Sequence, residues 1–525
     1  MPNSDTSVAR SFHDATKLSY ISLSTKPPLY KSYSGIPSVA LPPELPSPAA
    51  ATLPAVGGVM SPSRGPLDLA TVAQLLHYSA GLIRRSNLRS AGEVHYRAAA
   101  SAGALYPIEL YLVCGDLPDL SAGVYHYAPA SNSLSLLRPG DYRGNLAGAS
   151  GGRASISDAP ATIVCACVFW RSAWKYRERG YRYCYWDNGT ILANMTAVAN
   201  ALGQPAEIVA GFVDAEVDAL LGLEPSSEAS FCLIPAGGGS PVPGPVTPLD
   251  PVAIGSLGVE RRTEYPETRA LHTGSVLSDA AEVAAWRAGS PSGPSARNPA
   301  AGDRPESGPL GATIAHRGST RRFARDPMPA GRLEALLSAS MSPVRADYGG
   351  GLIDTYLIVN AADGIAPGAY YYSPGSGELG SGELVLLQEG EFREEAGHLC
   401  FEQALGADSS AVAFFMADLE AITSRFGNRG YRIAQLEAGI IGGRMYLATH
   451  SMGLGATGMT FYDDAVTAFF SPHAANKSLM FLVGLGITHD RNQVHPFRSR
   501  IGVLKDSLAR GAGGRGQPVP DWLYA

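Results

Sequence analysis

Hydrophobic positions fall into short runs of strand length and two long helical stretches, and the same order of runs occurs twice along the chain. Ile108-Glu109-Leu110-Tyr111-Leu112-Val113 returns as Ile353-Asp354-Thr355-Tyr356-Leu357-Ile358, and Gly123-Val124-Tyr125-His126-Tyr127 returns as Gly368-Ala369-Tyr370-Tyr371-Tyr372, both 245 residues on. Arg179-Gly180-Tyr181-Arg182 returns as Arg429-Gly430-Tyr431-Arg432, 250 residues on. In each copy an acidic residue and a glycine follow at the same spacing, Asp187 and Gly189 or Glu437 and Gly439. Shared offsets over several landmarks in one order mark a divergent tandem repeat. LDLATVAQLL (67–76) resembles MPAGRLEALL (328–337) at an offset of 261, so the second copy is 16 residues shorter ahead of its Tyr356 strand. The stretch expected to be lost is the one holding Ser101 to Pro107.

Each copy reads as an α+β domain of about 200 residues. A long apolar helix is predicted near Thr190 to Leu202 and again near Ala434 to Met452, and a closing strand at Phe231 to Pro235 and at Met480 to Leu485. In ATIVCACVFW the alternation puts Cys165 and Cys167 on one face of a strand, as buried thiols rather than a zinc knuckle. The predicted layout is an extended N-terminal arm over 1–66, a first domain over 67–240, a Pro/Gly/Ser-rich linker over 241–308, a second domain over 309–505 and a flexible tail over 506–525. Within the linker, SDAAEVAAWRAG has the pattern of a helix.

Composition narrows the function classes. With 41 Lys and Arg against 47 Asp and Glu, a net charge of −6, the chain has no basic excess to pair with nucleic acid. No apolar run reaches the roughly 18 to 20 residues of a membrane helix, and the start lacks a basic segment followed by an apolar core. The expectation is a cytoplasmic protein with no membrane partner. No Walker loop, no Gly-x-Gly-x-x-Gly between strand and helix, and no metal-ligand spacing is present. His95 and His126 stand without spaced partners and read as structural.

The chemistry-bearing motifs are three. Arg317, Ser319 and Arg321 alternate just before a helix predicted to begin near Pro329, a set of charged and hydroxyl donors suited to a phosphate, or a basic solvated segment. The first copy has only Ser61-Pro62-Ser63-Arg64 in the corresponding place. Ser101, Ala102, Gly103 and Ala104 are small enough for their backbone N–H groups to approach a planar ring. Lys175-Tyr176 lies in WKYRERGYR, where the second copy has Arg425-Phe426.

On these residues the sequence resembles the FMN-dependent nitroreductase superfamily, whose subunits open with an Arg-x-Ser-x-Arg-x-Phe flavin-phosphate motif, matched here by Arg317, Ser319, Arg321 and Phe323. SFHDATKLSY, PLYKSYSG, SAGALYPIE and the Lys175-Tyr176 segment together resemble its SagB-type dehydrogenase branch. The resemblance implies two tandem nitroreductase-like domains, each a mostly antiparallel sheet flanked by helices, forming an intramolecular pseudodimer. It further implies one FMN, held at its phosphate by Arg317, Ser319 and Arg321 with Arg498 and Arg500 as helpers, its ring covered by Ser101 to Ala104. The implied activity is oxidation of thiazoline or oxazoline rings in a ribosomally made peptide, with Lys175 and Tyr176 catalytic and either one the base. Molecular oxygen would be the electron acceptor and a cyclodehydratase complex a partner. The alternative is an FMN reductase or desaturase acting on another small molecule.

Overall fold

The computed structural model describes residues 2–17, 27–62, 65–88, 92–239, 244–250, 256–257, 264–290, 306–374 and 382–489. The expected phosphate helpers Arg498 and Arg500, the tail 506–525 and the end of the second domain lie outside the described residues. The two copies form two six-stranded sheets whose paired strands are all antiparallel. The first runs Ser38–Ala40, Ser133–Pro139, Gly123–Ala128, Ile108–Cys114, Ala161–Val168, Glu228–Ala236. The second runs Glu383–Glu389, Gly368–Ser373, Asp354–Val359, Ala411–Ala417, Ser478–Gly486, Gly455–Gly458. Register repeats as the sequence does. Tyr111 lies opposite His126 and Val164, while Tyr356 lies opposite Tyr371 and Phe414.

Both long helices begin earlier than hydropathy indicates, at Gly180–Leu202 and Arg429–Ser451. The added turns carry Arg182, Arg429 and Arg432, with Arg179 just ahead of the first helix, and all four are buried because they are paired. Arg179 and Arg182 of the first copy reach Asp463 of the second at 2.8 and 2.5 Å, and Arg429 and Arg432 of the second reach Asp214 of the first at 2.6 and 3.1 Å. These reciprocal ion pairs are what an isologous contact produces when a two-fold relation is folded into one chain. The helices meet at Gly189 and Gly439: a Cβ on Gly189 would fall 2.4 Å from the Gly439 backbone carbon. Equivalent glycines thus face each other, and a side chain there would push the copies apart.

Three expectations are corrected. Residues 1–66 include two helices, Ser7–Ala15 and Thr52–Val56. The first sets Phe12 edge-on against Tyr181 and Tyr431, one ring from each copy, at 5.3 and 5.6 Å. The segment read as a linker contains Pro266–Gly274 and Ala280–Ala288, the second being the helix patterned in SDAAEVAAWRAG. The length difference between copies is the hairpin Leu82–Leu88 with Gly92–Arg97, which the second copy lacks. The loop Ser101–Pro107 keeps a counterpart, Ala346–Leu352, ahead of the Tyr356 strand. Among the described residues no helix is long and apolar enough to cross a membrane.

Candidate active site between the two copies

Lys175 and Tyr176 close the helix Phe169–Tyr176. Arg171, about one turn earlier on the same helix, anchors it by donating to Glu109 at 2.5 Å, to the Tyr106 carbonyl at 2.9 Å and to the Pro28 carbonyl at 3.0 Å. Burial pushes the Glu109 carboxyl up, but Arg171 and His126 hold it well below the usual range, so it stays an anion. The helix is broken at once by Arg177, at φ 49° and ψ −137°, a conformation suited to glycine; its counterpart in the second copy is Gly427, at φ 62° and ψ −159°. Phe169, at the start of the same helix, packs toward Tyr181, Phe231 and His272.

The loop Ser101–Ala104 abuts the pair. Gly103 is left-handed at φ 63°, and a Cβ there would lie 2.8 Å from the Tyr176 hydroxyl and 3.3 Å from Lys175 Nζ. Only glycine lets the loop come this close. The long helix pins the loop from below. Ser101 Oγ donates to Asp187 at 2.5 Å, the Ala102 N–H donates to it at 2.9 Å, and Thr190 Oγ1 donates to the Ala100 carbonyl at 2.7 Å. Asp187 is the acidic residue of the repeat, and burial pushes its carboxyl up to about 7 against those two hydrogen bonds. Glu437, its counterpart, accepts from the Leu352 N–H at 2.8 Å and is also raised by burial to about 7. The repeat marks these residues, but nothing in spacing alone assigns them the loops.

The second copy brings its basic motif to the same place. Arg317 follows the helix Leu310–His316, is buried, and donates from Nε to the Ala98 carbonyl of the first copy at 3.2 Å. Ser319 Oγ meets the Tyr446 hydroxyl at 3.1 Å, and that hydroxyl accepts the Gly458 N–H at 2.6 Å. The Gly318 N–H donates to His450 Nε2 at 3.3 Å; burial and the charge of Arg317 lower this imidazole to about 4, so it is neutral and able to accept. A fourth residue, missed in the sequence, comes from the inserted hairpin: Arg84 donates to the Arg317 carbonyl at 3.3 Å and stacks on Tyr96.

Arg84, Arg317, Arg321 and Lys175 therefore converge from both copies. Burial lowers the Lys175 ammonium, and Arg321 lowers it further; burial and Arg84 press on Arg317; burial and Arg321 press on Arg84. No carboxylate figures among the charges acting on these three, and among the described residues none of the four makes an ion pair. Clustered cations with no counter-charge, beside a loop of small residues held in a left-handed turn, suit an anionic group attached to a flat ring.

The pseudo-symmetric position is built differently. Thr52–Val56, joined to Leu310–His316 by the Ala51–Pro309 bridge, runs out at Gly57 where the other helix runs out at Arg317. Tyr348, fully buried, takes the register of Gly103. Phe426 takes that of Tyr176 and packs against Trp286 of the linker helix at 5.5 Å, while Trp286 Nε1 donates to the Phe426 carbonyl at 3.1 Å. The neighbouring Arg287 donates to Asp347 at 3.3 Å and to the Gly211 carbonyl at 2.9 Å. Linker side chains thus pack against residues of the second position.

A family profile described as the nitroreductase family matches residues 64–238 and 314–486. A candidate nitroreductase of Methanocaldococcus jannaschii is 30% identical over 142 residues, 27% of this chain and 70% of that protein. The trifolitoxin-processing protein TfxB of Rhizobium leguminosarum bv. trifolii is 30% identical over 34% of this chain, and the microcin B17-processing protein McbC of Escherichia coli is 32% identical over 24%. The chain spans about half, 49%, of the length of each of these two. A crystal structure of a candidate nitroreductase from Anabaena variabilis superposes with a TM-score of 0.72 at 25% identity, over 92% of this chain and 99% of that one, so both copies align within one solved chain.

Proposed function

The chain belongs to the nitroreductase family, and we propose that it is an FMN-dependent dehydrogenase that oxidises azoline rings, thiazolines or oxazolines, to azoles in a ribosomally synthesised peptide. The observation that carries this reading is the seating of Lys175 and Tyr176 against the Ser101–Ala104 loop of their own copy, within the field of Arg321 from the other. The relatives named for processing trifolitoxin and microcin B17 support a peptide as substrate.

The flavin phosphate would be held by Arg317, Ser319 and Arg321, with Arg84 behind them, and the ring would lie along Ser101 to Ala104. When bound, FMN would supply the two-electron acceptor for the ring hydride, with molecular oxygen as the final acceptor. Aromatisation also requires loss of the proton α to the ring's carbonyl substituent. Lys175 is the group prepared to take it: burial, then Arg321, disfavour its charged form and lower the ammonium below its ordinary value, which favours the free amine that a base requires. Tyr176 is the opposite case. Burial, then Tyr183 and Asp187, raise its phenol far above its usual value, so it remains protonated and acts as a hydrogen-bond donor that orients the substrate. A cyclodehydratase that forms the azoline would be the partner acting before it.

The test is Lys175→Ala and Tyr176→Phe, each confirmed to retain flavin, followed by mass spectrometry for loss of two hydrogens from an azoline-containing peptide. Base removal lowers the rate roughly 10²- to 10⁴-fold. Wild-type turnover in both flavin-loaded variants overturns the assignment. The candidate nitroreductases among the relatives favour a second reading, reduction of a nitro or quinone compound, for which steady NAD(P)H oxidation without peptide would speak.

A further inference from the structure

The two sheets are built alike but finished differently along one edge. In the first copy the outer strand Ser133–Pro139 is covered by an extended piece of the N-terminal region, with Ser38 opposite Ser135, Val39 opposite Leu134 and Ala40 opposite Ser133, antiparallel. The Leu136 N–H donates to the Pro37 carbonyl at 2.9 Å and the Leu41 N–H to the Asn132 carbonyl at 3.0 Å, extending the ladder at both ends. In the second copy the outer strand is Glu383–Glu389, displaced by 250 residues from Ser133–Pro139. Its inner side pairs with Gly368–Ser373 as Ser133–Pro139 pairs with Gly123–Ala128, including a register shift at the same place, between Ala369 and Tyr370 or Val124 and Tyr125. Among the described residues no strand lies on its outer side.

The uncovered edge also has a distinct surface. Val385 and Leu386 are 40% and 46% exposed, among the few large hydrophobic residues so exposed, whereas Ser135, at the register of Val385, is 9% exposed. Leu386 occupies the register of Leu136, whose N–H in the first copy is spent on the covering strand. Glu383 and Glu389 stand exposed at the two ends, and among the described residues neither makes an ion pair. A free edge of this kind is a template for an added strand. The bulge is no obstacle, since the first copy carries the same bulge and accepts one. A second copy of the chain is a poor occupant, because self-pairing centred on Leu386 sets Glu383 against Glu389 and places like charges opposite each other.

We propose that the outer edge of Glu383–Glu389 docks an extended segment of a partner peptide, antiparallel, with small or β-branched residues at its centre and basic side chains at both ends. The covering strand Pro37–Leu41 shows the backbone geometry that fits, and the two glutamates set the charge. This inference is independent of the chemistry assigned to the flavin site.

The probe is a fluorescein-labelled Lys-Pro-Ser-Val-Ala-Leu-Lys peptide, the covering sequence with a lysine at each end, titrated with the full chain by fluorescence anisotropy. Three comparisons define the mode: the same peptide N-methylated at its central valine, the peptide with both lysines replaced by glutamate, and the Leu386→Pro protein, which removes an outward N–H at an edge position where proline is tolerated. Each should weaken binding at least tenfold, and salt should weaken the unmodified complex. The Glu383→Lys, Glu389→Lys double variant leaves the backbone intact and should reverse the preference toward the glutamate peptide, so the proposal stays testable if Leu386→Pro does not fold. Absence of saturable binding up to millimolar peptide, or binding indifferent to both N-methylation and charge reversal, overturns it. Concentration-dependent dimerisation that disappears in either variant overturns it in favour of self-association.

Discussion

Asp187 offers a measurement that isolates one buried group. Its carboxyl is raised by burial from 3.8 to about 7, while in the unfolded chain it returns to the ordinary value. Between those values the native state binds a proton that the unfolded state has released, so this group adds stability at low pH and loses it as pH rises through the folded value. With one pKa unit worth 1.36 kcal/mol, the contribution falls by about 2.5 kcal/mol between pH 5 and pH 8. Asp187→Asn imitates the neutral acid in shape and removes the titration. Equilibrium urea denaturation of both proteins at pH 5, 6, 7 and 8 should therefore show the wild type losing about 2.5 kcal/mol more than the variant across that range. The difference should develop mainly below pH 7. Parallel pH dependences would mean that Asp187 titrates normally, and that the Ser101 and Ala102 donors outweigh its burial. A difference of opposite sign would mean that an uncounted cation holds it ionised, and the account of the loop support would fail.

Three further outcomes follow from the architecture. Absorbance against protein concentration should give one FMN per chain; Arg317→Ala with Arg321→Ala should lose it, at about 3 to 6 kcal/mol for two charge-assisted contacts, and Trp286→Ala should not add a second. Arg177→Gly relieves a left-handed residue whose counterpart is already Gly427, and should raise unfolding stability by about 1 kcal/mol without changing the denaturant slope. Asp214→Ala and Asp463→Ala each strand two buried arginines of the other copy; each should lower stability by about 3 to 5 kcal/mol in calorimetry or denaturation, and a marked inequality between them would argue against the two-fold relation.

What could be known from the sequence was local or repeated. The offsets of 245 and 250 identify the duplication because each copy must satisfy the same strand register, and Tyr111 and Tyr356 then fall in equivalent pairings. The Arg317-Ser319-Arg321 alternation and the small residues 101–104 are legible as candidates because donor chemistry and side-chain size depend on residue type over a few positions. The repeated arginines were visible too, but their role was not: Arg179 and Arg182 answer to Asp463, some 280 residues away, and no spacing rule links them. Tertiary structure decided that Arg84 joins the cluster, that Tyr348 is buried at the register of Gly103 while Trp286 packs on Phe426, and that Lys175 and Asp187 carry shifted protonation equilibria. Those outcomes depend on desolvation and on charges brought together across the copy interface. Both are properties of the folded surroundings rather than of the residue or its chain neighbours.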